Sequence, residues 1–225
     1  MVRNIFHGSD HIIEKPILGQ GKPYNDYGLG FYCTESIDMA KEWAVGESSN
    51  GFANCYTINC KELSILNLCN IEYSILHWLT ILLENREFDT ITPLAFQAKE
   101  YLLESFHTDY RKYDCIIGYR ADDSYFSFAQ DFLNGAISIR QLNRAMFLGK
   151  LGQQFVLISK KAFESIKFTG YEVAYNSDWY RRKVSRDKLA RREYFDSTKN
   201  RFEKDDIYIT QILREEIKPD DPRLR

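Results

Sequence analysis

Six strand-length apolar runs are scattered along this chain, separated by helical stretches and polar turns, and they constrain its fold more than any other feature. VRNIF (2–6), CYTINC (55–60), LSILNL (63–68), YDCIIGY (113–119), QFVLIS (154–159) and IKFTGYEV (166–173) alternate or run apolar at strand length. Helical periodicity fills the gaps at 73–84, 93–106, 124–133, 138–147 and 160–165. Glu35 or Ser36 is placed to cap a further helix carrying Met39, Trp43 and Ala44 on one face. The pattern predicts an α+β body. VRNIF should run straight into a polar turn, His7-Gly8-Ser9-Asp10, with Ile12-Ile13 starting another extended piece. CYTINC and LSILNL should bracket a hairpin.

From Asp178 the texture changes. DWYRRKVSRDKLARREYF is charged and helical, and DDIYITQILREEI reads as a second helix before Pro219 and Pro222. The simplest division is a body over 1–175 and a helical C-terminal extension over 176–225 packed on it. The dense basic run Arg181–Arg192 reads first as a solvated helical face. Nucleic-acid binding is the sharper alternative, with Tyr180 and Tyr194 near enough to stack on bases, and a surface for a protein partner is the third.

With 44% hydrophobic residues in 225 and a mean hydropathy of −0.43, the chain has material for a real core in water. The opening MVRNIFHGSD lacks a signal-peptide apolar stretch, and no segment approaches the roughly 20 apolar residues of a membrane span. The five cysteines are odd in number and show no CxxC spacing. Reduced thiols in a cytoplasmic protein are therefore expected, with neither metal nor membrane involved. A net charge of −2 supplies no global field toward nucleic acid.

The chemistry concentrates in FHGS (6–9) and YGLGFYCTESIDMAKEW (27–43). A histidine at a strand end can bond a ribose hydroxyl, and the adjacent glycine admits close backbone approach. A Gly-rich turn leading to one aromatic, with a second aromatic a helix later, suits a sandwiched ring. This arrangement resembles the His-Tyr-Glu branch of the ADP-ribosyltransferase superfamily, the branch of diphtheria toxin and the poly(ADP-ribose) polymerases. The resemblance implies a split β-sheet core with surrounding helices, and NAD as substrate. It carries His7 over as ribose anchor, Gly8 as carboxamide anchor with Ser9 beside it, and Tyr32 and Trp43 as the nicotinamide-stacking pair. Where the superfamily often has a carboxamide-bonding Ser, this chain has Ala40.

Over nearly its full length the chain is similar to an uncharacterised bacterial family of that superfamily, found in toxin–antitoxin and phage-defence gene neighbourhoods. The stretches that carry the likeness are YDCIIGYRADDSYFSFA (113–129), LGKLGQQFVLISKKAFESIKF (148–168) and ILREEIKPDDPRL (212–224). It implies transfer of ADP-ribose from NAD to a protein or nucleic-acid acceptor, with a cognate antitoxin as a partner.

The third member of the implied triad departs from the pattern. A glutamate should follow Gly152, and this chain has Gln153. Losing one preorganised electrostatic contact typically costs about 3–4 kcal/mol, roughly 10²–10³ in rate. Three readings of Gln153 stay open: a natural variant, a disabled toxin, or a register off by one. The alternative function is a non-catalytic NAD-binding or partner-binding module on the same fold.

Asp122 and Asp123 read first as loop or N-cap residues for the helix at Ser124. With Arg120 and Tyr125 they are also candidate neighbours of an acceptor or of the NAD diphosphate. His11, His77 and His107 have no partner spacing for metal or triad chemistry.

Overall fold

The strands are spread along the chain, and among the described residues three of the five strand pairings join strands that are not adjacent in sequence. A computed structural model of the chain describes residues 1–150 and 152–224, and of Asp123 the backbone only. In chain order the elements are β1 (Val2–Ser9), β2 (Phe31–Cys33), α1 (Ile37–Ala44), β3 (Gly51–Asn59), β4 (Ile65–Asn67), α2 (Ile75–Asn85) and α3 (Pro93–Ser105). There follow β5 (Cys115–Tyr119), α4 (Asp123–Leu133), α5 (Ile139–Ala145), β6 (Gln153–Leu157), α6 (Lys160–Glu164), β7 (Ile166–Ala174), α7 (Asn176–Glu193) and α8 (Ile209–Arg214). The protein is thus α+β, with two sheets and eight α-helices among the described residues.

One sheet is antiparallel, in the order β1-β3-β7, and the other runs β2-β6-β5-β4 with a parallel β4–β5 edge. The parallel pair is bridged by α2 and α3, as a parallel connection requires a crossover. Phe6 exchanges two backbone hydrogen bonds with Thr34, at 2.8 and 2.9 Å, and so stitches β1 of the first sheet to the end of β2 in the second.

Alternation along β5 and β6 divides the core. Cys115, Ile117, Phe155 and Leu157 pack with Ile5, Phe31, Tyr56 and Ile58 in one cluster, which draws on both sheets. Ile116 and Val156 point the other way, into a larger cluster built with α2, α3, α4 and α5. Helix α2 is apolar nearly all round, so it is buried on nearly every face.

Three expectations are corrected. His7, Gly8 and Ser9 do not form a turn: they continue β1, pairing with Asn54, Ala53 and Phe52 of β3, because β3 is long enough to partner them all. Ile12-Ile13 forms no strand; the Asn54 side chain instead pins this loop by accepting from Ile13 N at 2.8 Å and donating to Ser9 Oγ at 2.9 Å. CYTINC and LSILNL form no hairpin, since β3 and β4 lie in different sheets. The Asp114 carboxylate accepts from Ser64 N and Oγ at 2.9 and 3.0 Å, which delivers β4 to β5 rather than to β3.

In the tail, α7 packs against α1 and α4, and α8 against α3. Ala190 and Tyr194 enter the main core, with the Tyr194 ring stacked 3.8 Å from Phe128. The last helix is shorter than the expected 205–217: Asp206 Oδ2 accepts from Glu203 N, and Ile207 O accepts from Ile139 N, so these residues are taken up outside any helix. None of the helices among the described residues is long and apolar enough to cross a membrane.

Candidate functional site

A cavity of about 1060 Å³ opens between the β1–β2 junction, α1, α7 and the loop that follows β1. Ligand sites commonly run to roughly 300–1,000 Å³, so this one has room for a dinucleotide-sized ligand. His7, Tyr32 and Trp43 all line it.

His7 is held in a defined state. Its Nδ1 lies 2.7 Å from the carbonyl oxygen of Tyr32. A carbonyl can only accept, so Nδ1 carries the proton and Nε2 is left as the acceptor. The ring stacks on Phe31 at 4.4 Å. Burial pushes its pKa below the ordinary 6.5, against the opposing pull of the Tyr32 bond, which keeps the imidazole neutral.

Gly8 has two roles set by its place in β1. A Cβ there would lie 2.0 Å from Ala40 O and 2.8 Å from both Ala44 N and Trp43 Cβ, so only glycine lets α1 cross this close. Strand alternation gives the second. Phe6 turns its N–H and C=O toward Thr34. Two residues on, those of Gly8 point to the same side, away from β3. Ser9 is turned elsewhere, donating from Oγ to His11 O at 2.6 Å.

Tyr32 is fixed by its hydroxyl, which donates to Gly28 O at 2.6 Å and accepts from Tyr27 N at 3.0 Å. Gly28 makes the turn at φ 70°, a left-handed conformation. Trp43 carries the Arg120 guanidinium over one ring face at 4.3 Å. A second flat group stacking on Trp43 therefore uses its other face or displaces Arg120.

The cavity wall is rich in polar atoms without partners. Among the described residues, Trp43 Nε1, one terminal nitrogen each of Arg120 and Arg186, Asp122 Oδ1 and Gln154 Oε1 are buried and make no hydrogen bond. All five belong to side chains lining the same cavity. Buried polar atoms are normally paired, so a cluster of orphans makes this wall the candidate site for a polar ligand. Arg120 is lowered from its ordinary pKa by desolvation, with Asp122 and Asp26 opposing. Lys183 is lowered by desolvation and by repulsion from Arg120 and Arg186. Burial raises Asp122 against the pull of Arg120 and Arg186.

The remaining sequence candidates fall differently. Gln153 opens β6 with an exposed side chain that is not part of the cavity lining. Its neighbour Gln154, turned to the opposite face by strand alternation, is buried in the lining. Gln154 Nε2 donates to Asp26 Oδ2 at 3.1 Å. Asp26 also accepts from Ala121 N and pairs with Arg86, both at 2.8 Å. Tyr125 is corrected: it is fully buried in the core, its hydroxyl donates to Leu148 O, and it does not face the cavity. Asp122 does stand at the N-cap position of α4, though no side-chain capping bond forms. The Asp123 side chain lies outside the described residues. His77 and His107 serve locally, at the Ser74 cap and beside Glu84.

Asp26, Arg86 and Gln154 line the site without having been singled out from the sequence, while Lys183 and Arg186 were named there only within the basic run Arg181–Arg192. For α7 the signal was present. Tyr180, Lys183, Val184, Asp187, Lys188 and Arg191 recur at three- and four-residue spacing and line the cavity, whereas Arg181, Arg182 and Arg192 lie outside its lining. The basic run is therefore two-sided rather than a uniformly solvated face.

The fold and site define an α+β protein with one large polar cavity at the junction of its two sheets. Residues 3–168 match the family described as protein of unknown function (DUF3990), and the chain belongs to that family. No curated protein and no solved structure matches it. Among the described residues no group of His, Cys, Asp and Glu is arranged to hold a metal ion.

Proposed function

We propose that the cavity binds NAD, and that the protein is a toxin-type mono-ADP-ribosyltransferase acting on a protein or nucleic-acid acceptor. The observation that carries this reading is the tautomer of His7. With Nδ1–H committed to the Tyr32 carbonyl, Nε2 is an acceptor suited to a ribose hydroxyl. Tyr32 and Trp43 supply flat faces in the same cavity. Gly8 and Ser9 are not part of its lining, and on this reading a carboxamide reaches the Gly8 backbone edge that faces away from β3. On this reading the two sheets correspond to the split core of an ADP-ribosyltransferase.

Catalysis also needs negative charge near the ribose as nicotinamide departs. Gln153 offers none, and the Gln154 amide is engaged with Asp26. This favours a second reading, in which the chain binds NAD and turns it over poorly or not at all. Titration calorimetry with NAD, together with release of nicotinamide by the chain, by Gln153→Glu and by Gln154→Glu, separates the two. NAD binding by the chain is expected, with nicotinamide release gained by Gln154→Glu, whose side chain lines the cavity, and not by Gln153→Glu, whose side chain lies outside the lining. Binding without release by any of the three would leave the non-catalytic module. Absence of NAD binding in all of them would end both readings.

A further inference from the structure

The cations of the cavity come from two sources. Arg120 follows β5 within the matched family region, whereas Lys183 and Arg186 come from α7, beyond residue 168 where the family match ends. One helical turn places Lys183 and Arg186 on the same side of α7. Lys183 Nζ donates to Val45 O at 3.1 Å. Arg186 is anchored through Nε to Glu42 at 2.7 Å, leaving a terminal nitrogen buried and unpartnered. Arg120 is stacked on Trp43, also with an unpartnered terminal nitrogen, and forms no ion pair among the described residues. Two guanidinium groups and an ammonium thus surround one cavity, anchored at some atoms and with donors free at others.

We propose that Arg120, Lys183 and Arg186 form a binding site for a diphosphate group, completed by the C-terminal helix rather than by the family core. The oxygens of a diphosphate accept from several donors at once, and its charge relieves the mutual repulsion of three cations in a partly desolvated wall. The orphan Trp43 Nε1 adds a neutral donor. Glu42 balances Arg186, while Asp122 faces the same wall, so the free positive charge resides mainly on Arg120 and Lys183. The site does not depend on the NAD reading, because any nucleoside diphosphate offers the same group.

Titration calorimetry of the full chain with inorganic pyrophosphate, ADP and NAD, at two salt concentrations, tests the site. All three ligands should bind, more weakly at higher salt. Lys183→Met and Arg120→Met should each weaken pyrophosphate and ADP by about tenfold or more. Arg181→Ala and Arg192→Ala remove charge outside the cavity and should have little effect. Lys183→Met leaves the buried Glu42–Arg186 pair intact, and a circular dichroism melt checks that the variant is folded. Absence of pyrophosphate and ADP binding overturns the inference, as does equal weakening by the outer-face variants. If NAD fails to bind while ADP binds in a Lys183-dependent way, the diphosphate site stands and the NAD reading falls. If NAD binds and Lys183→Met and Arg120→Met change no affinity, the NAD reading stands and the diphosphate site falls.

Discussion

His7 and Tyr32, 25 residues apart in the chain, are joined by a hydrogen bond of 2.7 Å from the imidazole Nδ1 to the tyrosine carbonyl oxygen. The bond links the two sheets at the cavity and decides which imidazole nitrogen is free. The side chain of Tyr32 is tied separately, through its hydroxyl to Gly28. Backbone and side chain of one residue therefore set two different walls of the site.

Replacing His7 with Ala removes the Nε2 acceptor and the ring stacked on Phe31. NAD affinity should fall by at least about tenfold, equivalent to roughly 1.4 kcal/mol. On the proposed NAD reading, the neutral imidazole is the binding form in the unaltered chain. Its pKa is held below 6.5 by burial, so affinity should be flat above that pH and fall as pH drops through the depressed value. Stability should decline in the same direction, because below pH 6.5 the unfolded chain binds the proton more readily. Calorimetry across pH 5–8 would contradict this if affinity rose on acidification.

Gly8→Ala should destabilise the fold itself. The new methyl would sit 2.0 Å from a backbone oxygen of α1, and helix backbone yields far less readily than a side-chain end. A cost of about 2–3 kcal/mol is expected for such overpacking, lowering Tm by roughly 4–12 °C in a chain of this size. An unchanged thermal midpoint would refute the close packing of α1 on β1.

Gln154→Glu sets a second carboxylate against Asp26, where the amide now donates at 3.1 Å. Burial already raises the Asp26 pKa. Two facing carboxylates would favour one shared proton, so the folded state of the variant binds protons more tightly than its unfolded chain. Its stability deficit should therefore grow as pH rises above the ordinary carboxylate range, reaching about 1–3 kcal/mol at neutral pH. Urea unfolding at pH 5 and pH 8 measures this, and a deficit larger at pH 5 would count against the pairing.

Tyr125→Phe separates core from cavity. The hydroxyl bonds Leu148 O away from the cavity, so its loss should cost about 1 kcal/mol, or some 2–4 °C in Tm. Affinity for NAD and pyrophosphate should not change. A tenfold loss of either would place Tyr125 back at the site.

Much of this protein was settled by local sequence. The apolar runs at 113–119, 154–159 and 166–173 became β5, β6 and β7, and Ser36 caps α1 by accepting from Met39 N at 3.3 Å. These features depend on side-chain period and on groups a few residues apart, which a linear reading contains. The aromatics Tyr32 and Trp43 were legible as site residues for a similar reason: a glycine turn and one helix set their spacing.

Tertiary contact decided the rest. Whether His7-Gly8-Ser9 was turn or strand depended on β3 being long enough to pair with it, 45 residues away. Whether CYTINC paired with LSILNL depended on the Asp114 carboxylate, 50 residues from Ser64. The sequence by itself determined where most of the strands and helices form and that one histidine precedes a glycine. Only the folded chain decided that Gln154 rather than Gln153 lines the cavity, that Tyr125 belongs to the core, and that one stripe of α7 turns inward. Strand alternation and helix periodicity fix which side chains share a face, but which face meets a neighbour is chosen by partners distant in the chain.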